Sequence, residues 1–178
     1  VRRPLMRSGL NLGLAILGYW LAVNLGEAAW AMGWLGRTTT RACTLEQVLD
    51  GDSLILRCDG ETLEVRLHCI DAPEREQTPW GTRSRRHLQQ IAPRRVRLQV
   101  VEIDRFGRTV GEVLGMDQAR QSLNLAQVAS GQAAVYTHYC TDPAFRRTER
   151  AAQAAGLGIW SSPGEHQTPW AFRHRTGG

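Results

Sequence analysis

Three short segments of the sequence combine acidic side chains with arginines, a pairing that suits both a divalent cation and a phosphate group. Calcium and magnesium prefer oxygen ligands, which carboxylates supply. Arginine presents planar, paired N–H donors that match the oxygens of a phosphate. These residue types therefore predict a site that holds a hard cation and a phosphate together. The segments are Asp50-Gly51-Asp52, residues 66–74 and residues 104–108.

The second segment must bend before its charged residues can meet. Arg66 and Asp71 lie five residues apart, so on one extended strand their side chains point to opposite faces of the sheet. A bend near the end of the strand would bring them together. Pro73 keeps the residue before it extended and ends the strand, which places Asp71 and Glu74 at a strand mouth. When this segment is considered by itself, the alternative is an ordinary strand end whose charged residues lie on the surface.

The elements that must carry these segments are mainly strands. Asp50-Gly51 and Asp59-Gly60 each separate two apolar runs, which is a strong signal for a β-hairpin. They predict an antiparallel meander with strands at residues 43–49, 53–58 and 62–70. Two more strands are predicted at 95–101 and 109–114, and helices at 82–91, 122–129 and 142–156. Five short strands with two or three helices indicate an α+β domain, arranged as a small closed barrel.

The composition is typical of a soluble globular protein with a basic surface. The chain has 178 residues, of which 42% are hydrophobic and 22% charged, so it can bury a core and disorder is not expected. Its 22 basic residues are all arginines, and the net charge is +5. An arginine-only basic protein suits a polyanionic partner, although a genomic bias towards arginine would give the same composition. Charge alone therefore decides little.

The first 31 residues have the layout of a secretory signal. Arginines at positions 2, 3 and 7 precede an apolar run over residues 10–23, and Ala29-Trp30-Ala31 is a small-residue cleavage site. The apolar run is shorter than the roughly 20 residues that cross a bilayer. We expect cleavage after Ala31 and a secreted or periplasmic protein with no stable membrane partner afterwards. An uncleaved membrane anchor is the alternative.

Four cysteines follow the leader, and an even number of cysteines in an exported chain indicates disulfides. No pair is spaced as Cys-x-x-Cys, so a zinc site is not expected. The hairpin around residues 50–52 places Cys43 and Cys58 opposite each other, close enough for a bridge. Cys69 and Cys140 would then pair by elimination. Buried free thiols are the alternative for one or both pairs.

Four motifs, in order and spacing, resemble the staphylococcal nuclease (thermonuclease) family. The most specific is Asp-Ala-Pro-Glu at residues 71–74, following a strand arginine. The others are Val-Leu-Asp-Gly-Asp-Ser at 48–53, Asp-Arg-Phe-Gly-Arg at 104–108 and Leu-Gly-Ile-Trp-Ser at 157–161. The resemblance implies an OB-type five-stranded β-barrel with about three helices at residues 43–161. The residues themselves predict a linker at 32–42 and an irregular tail at 162–178, where prolines and glycines occur.

The resemblance implies a calcium site built from oxygen ligands. Asp52 and Asp71 match the family's calcium-binding carboxylates, and the backbone carbonyl of Ala72 matches a third protein ligand. The type member has threonine where this chain has Ala72; a carbonyl ligand survives that change, but any hydroxyl contact is lost. Calcium tolerates waters in the rest of its shell, whereas magnesium demands tighter octahedral geometry and is expected to substitute poorly.

The resemblance also implies the groups that act on a phosphodiester. Glu74 matches the carboxylate that positions or deprotonates the attacking water, and Arg66 and Arg108 match the two arginines that hold the scissile phosphate. The resemblance therefore implies a monomeric enzyme that hydrolyses phosphodiester bonds in DNA and RNA. The predicted reaction depends on calcium and has low sequence specificity.

This chain matches fewer of the type member's substrate contacts away from the scissile phosphate. A long loop follows the catalytic glutamate of the type member, and the corresponding stretch is short here. The type member stacks a nucleotide on two tyrosines; Tyr139 matches one, Thr137 falls at the other, and Tyr136 is the nearest substitute. Arg105, in the third segment, is expected to contact the substrate. Aromatic stacking tolerates any base, so weak base preference is expected.

Two other functions fit parts of the sequence. A non-catalytic nucleic-acid-binding barrel would share the fold, but the predicted charged set is complete here, which disfavours this function. A membrane-anchored structural protein is supported only by the leader, and only if the leader stays uncleaved.

Overall fold

Five strands close into a barrel, which confirms the fold predicted from the sequence. The structure is a computed structural model that describes residues 39–117 and 120–176. The barrel strands are β1 Thr40–Val48, β2 Ser53–Cys58, β3 Glu61–Leu67, β5 Arg95–Ile103 and β6 Thr109–Gly115. They pair in the order β1-β2-β3-β6-β5, and β5 closes onto β1. A separate two-stranded sheet pairs β4 Ile70–Asp71 with β7 Ala134–Val135.

Alternating side chains of the strands fill the barrel. Leu54 and Leu56 of β2 and Val96 and Leu98 of β5 are fully buried, whereas Arg97, between the last two, is exposed. Complete burial of one such side chain contributes about 1.5–3 kcal/mol. A slip of one residue would turn these side chains towards solvent. The core therefore sets the strand register, and with it the position of the turns that carry the charged segments.

Three helices match the predicted ones, and two of them begin at side-chain caps. Ser122 Oγ accepts a hydrogen bond from Leu125 N at 3.3 Å, and Asp142 Oδ1 accepts one from Ala144 N at 2.8 Å. Such caps bind backbone N–H groups that the first turn of a helix leaves without partners. The helices are α1 Trp80–Ile91, α2 Leu123–Ala129 and α3 Pro143–Ala154.

The C-terminal segment is structured, so the predicted irregular tail is wrong for the residues described. A 3₁₀ turn leads into a fourth helix, α4 Pro169–Thr176. The buried ring of His166 stacks on Trp80 at a centroid distance of 4.3 Å. His166 Nε2 lies 3.0 Å from the carbonyl oxygen of Ile159. One of the prolines that suggested irregular structure, Pro169, instead occupies the first helical position, where its missing N–H costs nothing.

Two further boundaries differ from those predicted. Strand β1 begins at Thr40, within the predicted linker, because Thr40 pairs with Gln99 of β5. Strand β3 ends at Leu67, three residues early, because the chain turns before β4. The predicted signal at residues 1–31 lies outside the described residues. Within the described ranges, we find no helix long and apolar enough to cross a membrane.

Both predicted disulfide pairings are confirmed. Cys43 lies directly opposite Cys58 in the β1–β2 register, and the two are bonded. Cys69, in the turn before β4, is bonded to Cys140. The first bridge joins residues 15 apart and the second joins residues 71 apart. The bridges therefore restrict the unfolded chain to different extents.

Removing the two bridges should destabilise the protein unequally. By loop-closure entropy, a bridge across 15 residues contributes about 3 kcal/mol and one across 71 residues about 4 kcal/mol. We expect Cys69→Ala/Cys140→Ala to lower the free energy of unfolding in urea more than Cys43→Ala/Cys58→Ala. A larger loss from the shorter loop would show that native contacts, rather than loop length, decide the contribution.

Candidate active site

Arg66, in β3, joins two buried carboxylates. Its Nη1 donates to Asp52 Oδ1 at 3.1 Å, and its Nη2 donates to Asp71 Oδ1. Asp52 is 3% exposed and Asp71 is 0% exposed. An unpaired carboxylate at such a depth is strongly disfavoured, whereas a hydrogen-bonded guanidinium makes burial possible. One cation therefore holds together the two residues predicted to bind a metal.

A left-handed turn at Cys69 brings Arg66 and Asp71 to the same place. Cys69 has φ 71°, a conformation that residues other than glycine rarely adopt. Its carbonyl accepts a hydrogen bond from Tyr136 N at 2.9 Å, and its side chain is bonded to Cys140. These contacts hold the turn in a conformation that the chain alone disfavours. The bend expected near the end of the strand is confirmed.

The Asp52 carboxylate is fixed by hydrogen bonds as well as by Arg66. Its Oδ2 accepts from Ala72 N at 2.7 Å, and its Oδ1 accepts from Ser53 Oγ at 3.1 Å. Its backbone N–H donates to Asp50 Oδ1 at 2.9 Å. The turn after β1 and the segment after β4 are therefore joined directly through this carboxylate.

The turn at Gly51 packs against two helices through residues that belong to none of the sequence motifs. A Cβ atom at Gly51 would lie 1.9 Å from Ser84 Oγ of α1 and 2.6 Å from the Cβ of Ala72, so only glycine fits. The Gly51 carbonyl accepts from Gln127 Nε2 of α2 at 2.6 Å. Gln127 Oε1 lies 2.5 Å from His87 Nδ1 of α1. The available signal was two polar side chains, Asn124 and Gln127, in the otherwise apolar run of α2.

Asn124, also in α2, supports the turn after β3 in a similar way. Its Nδ2 donates to the carbonyls of His68 at 2.9 Å and Gly111 at 3.1 Å. Its Oδ1 accepts from Val113 N at 3.0 Å. Asn124 and Gln127 are both fully buried. A seven-residue helix therefore positions both turns that carry the acidic residues.

Glu74 is joined to the carboxylate pair by Arg173 of α4. Arg173 Nη1 donates to Glu74 Oε1 at 2.5 Å, and its Nη2 donates to both oxygens of Asp71 at 2.9 Å. Arg173 is 99 residues from Glu74 along the chain. No local motif points to Arg173, and the predicted irregular tail gives no reason to place it at the site.

The remaining predicted site residues bond with their neighbours on the surface. Within the described residues, the Arg108 guanidinium bonds with Asp104 at 2.8 Å and not with the carboxylate pair. The Arg105 guanidinium lies over Phe106, 4.7 Å from the ring centroid. Tyr139 is 57% exposed. The structure thus assembles part of the predicted site, namely Asp52, Arg66, Asp71, Ala72 and Glu74.

Comparison with known proteins identifies the family. Residues 64–162 match the family described as staphylococcal nuclease homologue. The chain is 35% identical to a micrococcal nuclease of Shigella flexneri over 136 residues, covering 71% of this chain and 77% of that protein. The chain belongs to the staphylococcal nuclease family. It is also 34% identical to an uncharacterized endonuclease of Escherichia coli over 131 residues, covering 72% of this chain and 82% of that protein.

Burial, and then crowding by neighbouring carboxylates, raises the pKa of two acids at this site. Burial, and then the charge of Asp52, raises the pKa of Asp50 to about 6. Burial and the charge of Asp52 also raise the pKa of Asp71 to about 6, against the opposing effects of Arg66 and Arg173. The site therefore has more negative charge than its arginines balance, and a cation would stabilise the ionised carboxylates.

The donor groups fit a hard divalent cation. Asp52 Oδ2 and Asp71 Oδ2 each accept one hydrogen bond, and a carboxylate oxygen has two lone pairs, so both oxygens can still bind a cation. In residues 39–117 and 120–176, no three acidic, histidine or cysteine side chains group closely enough to form a metal site by themselves. A cation would need backbone carbonyls, such as that of Ala72, and water, which suits calcium.

Replacing Asp50 with asparagine should stabilise the metal-free protein at neutral pH. A carboxyl whose pKa is about 6 when folded and about 4 when unfolded binds more protons in the folded state, so its contribution to stability falls as pH rises from 4 to 6. Two pKa units correspond to at most about 3 kcal/mol.

We expect Asp50→Asn to exceed the wild type in free energy of unfolding at pH 7 in chelator, with the difference vanishing below about pH 4. Urea unfolding at several pH values measures it. Asp59→Asn, in the exposed turn after β2, is the control and should show little change. A difference that does not vary with pH would contradict the raised pKa.

Proposed function

We propose that the protein is an exported, calcium-dependent nuclease that hydrolyses phosphodiester bonds in DNA and RNA with little sequence preference. Membership of a nuclease family supports hydrolysis of nucleic acids. The single observation that carries the finer proposal is the pair of buried carboxylates, Asp52 and Asp71, joined by Arg66 beside Glu74. Hard oxygen donors next to a guanidinium suit a cation and a phosphate at one point.

The proposed roles follow from the chemistry of each group. Asp52, Asp71 and the carbonyl of Ala72 would hold calcium, which when bound supplies Lewis-acid stabilisation of a phosphoryl oxygen. Glu74 accepts a proton as a water oxygen attacks phosphorus, and the bond from phosphorus to the leaving oxygen breaks. Arg66 donates to the phosphate oxygens as negative charge accumulates on them. The leaving oxygen then takes up a proton.

The Arg108 guanidinium must release Asp104 before it can bind the phosphate of the substrate. In the parallel pairing of β3 with β6, Arg66 lies opposite Val110, and Arg108 is two residues before Val110. Its guanidinium bonds with Asp104, whose pKa is lowered because hydrogen bonds from Arg108 and Phe106 outweigh the effect of burial. Both partners are partly exposed, and such pairs are weak, so a phosphate competes readily for the guanidinium.

Contacts further along the substrate are proposed for Tyr139 and Arg105. The exposed Tyr139 ring is available for a base to stack on, and stacking tolerates any base. Arg105 adds positive charge near a phosphate backbone. The proposed export rests on the leader at residues 1–31, and two disulfides are typical of an oxidising compartment. N-terminal sequencing of the exported protein distinguishes a cleaved leader from a membrane anchor.

Cleavage should depend on calcium. We expect purified mature protein to degrade plasmid DNA and RNA with calcium and to lose activity in excess chelator, with calcium restoring it. Magnesium should support little cleavage because it requires a tighter octahedral shell. Undiminished cleavage in chelator would contradict the proposed metal site.

The proposed base and the surface arginine can be tested without disturbing the core. Glu74→Gln and Arg108→Ala should each lower kcat by about 10²-fold or more, because each group acts on the transition state. Glu76→Gln, an exposed glutamate in the same loop, is the control and should keep its rate. Steady-state cleavage of a labelled oligonucleotide measures the rates. Wild-type rates in both variants would locate the chemistry elsewhere.

A further inference from the structure

Arg173 contacts two residues of the proposed machinery, although it lies outside the residues that match the family. Its guanidinium binds the Glu74 carboxylate through Nη1 and both Asp71 oxygens through Nη2. The matched region is residues 64–162. Among the residues that the structure describes, Arg173 is the hydrogen-bonding partner of the Glu74 carboxylate. One planar guanidinium therefore sets the position of Glu74 relative to Asp71.

The helix that carries Arg173 is anchored by packing that does not involve the carboxylates. Trp170 of α4 stacks on Tyr136 with ring centroids 5.2 Å apart and an interplanar angle of 13°. The ring of His166, just before α4, stacks on Trp80. If α4 only occupied the site and blocked it, its contacts with the carboxylates would be the main contacts that hold it. These aromatic contacts make α4 a fixed wall of the site.

Glu74 needs such a partner to be held in one orientation. It lies in the loop between β4 and α1, where Gln77 Oε1 accepts from its backbone N–H at 2.9 Å, and its side chain is 32% exposed. Fixing a glutamate side chain costs up to about 2 kcal/mol of rotamer entropy, so an unpaired Glu74 would sample several orientations. A catalytic carboxylate must be held within about 0.5 Å of its productive position.

Arg173 and a divalent cation are compatible in the same site. Four carboxylates, those of Asp50, Asp52, Asp71 and Glu74, are linked in one hydrogen-bonded cluster with the guanidiniums of Arg66 and Arg173. When all are ionised, the cluster carries a charge of −2, which one divalent cation neutralises. The second lone pair of Asp71 Oδ2 remains available while Arg173 is bound.

We propose that Arg173 is a positioning residue for phosphodiester hydrolysis. It holds Glu74 in the orientation from which the carboxylate takes the proton of the attacking water. This proposal rests on the role proposed above for Glu74. The catalytic domain then extends through α4, and the C-terminal segment is part of the active site.

The kinetic test compares three variants at saturating calcium, with saturation established for each variant by calorimetric titration of calcium. Arg173→Ala should lower kcat by about 10- to 100-fold and change KM for a fluorescent single-stranded oligonucleotide by less than about threefold, because lost orientation acts on the chemical step. Arg173→Lys keeps the charge without the planar fork and should recover part of the rate. Arg175→Ala is the matched control, since Arg175 lies on the same helix and pairs with exposed Glu165.

Two measurements separate positioning from a general effect on folding. Methylguanidinium at millimolar concentration should raise kcat of Arg173→Ala and leave the wild type unchanged, because it supplies the missing group. In NMR spectra of the wild type, the Nη–H signals of Arg173 should stay separately resolved when calcium is added, since the carboxylates continue to hold the guanidinium. The loss of these signals in Arg173→Lys identifies them.

The outcomes separate this proposal from the proposed function. An unchanged or higher kcat in Arg173→Ala, or collapse of the Nη–H signals with calcium, would overturn the positioning role and make Arg173 a competitor of the cation. A wild-type protein that cleaves no nucleic acid would instead contradict the proposed function. If circular dichroism shows that Arg173→Ala does not fold, the kcat of Arg173→Lys and the NMR measurement decide whether Arg173 positions Glu74.

Discussion

The arrangement on which the site depends is a single guanidinium shared by two buried carboxylates. Asp52 and Asp71 lie in the interior, where an unpaired charge costs several kcal/mol, and Arg66 pairs with both. Arg173 adds a second positive charge at Asp71, but Asp50 and Glu74 bring the number of acids to four, so burial is possible while neutrality is incomplete. Burial, and then the charge of Asp52, raises the pKa of Asp71 against the opposing charges of Arg66 and Arg173. The arrangement that allows the acids to be buried thus also creates the demand for a further cation.

The rest of the fold keeps this arrangement in place through buried amide side chains. Gln127 binds the turn at Gly51, and Asn124 binds the turn after β3, so one short helix fixes the approach of both acidic segments. A buried hydrogen-bonding group left without its partner costs about 1–3 kcal/mol, so loss of either side chain would affect folding and geometry together. The barrel core sets the strand register, and α2 then holds the two turns that carry the acidic residues close to each other.

The site also draws on the far end of the chain. Helix α4 adds a second guanidinium, that of Arg173, to the carboxylates, and aromatic stacking on Tyr136 and Trp80 holds the segment in place. The disulfide between Cys69 and Cys140 ties the turn beside Asp71 to the segment that carries Tyr136. Residues from both ends of the domain must therefore pack before the site is complete.

The sequence by itself determined what depends on short-range chemistry. The Asp-Gly turns set the meander and the pairing of Cys43 with Cys58, and the motif at residues 71–74 indicated the family. Local patterns could not reveal that Cys69 adopts a left-handed turn, because the apolar alternation of the preceding strand residues continues unbroken up to Cys69. Nor could they place Arg173, since its contact with Glu74 spans 99 residues and depends on how α4 packs. Turn and strand propensities act over a few residues, whereas contacts between distant segments are decided only when helices, barrel and disulfides settle into one packed arrangement.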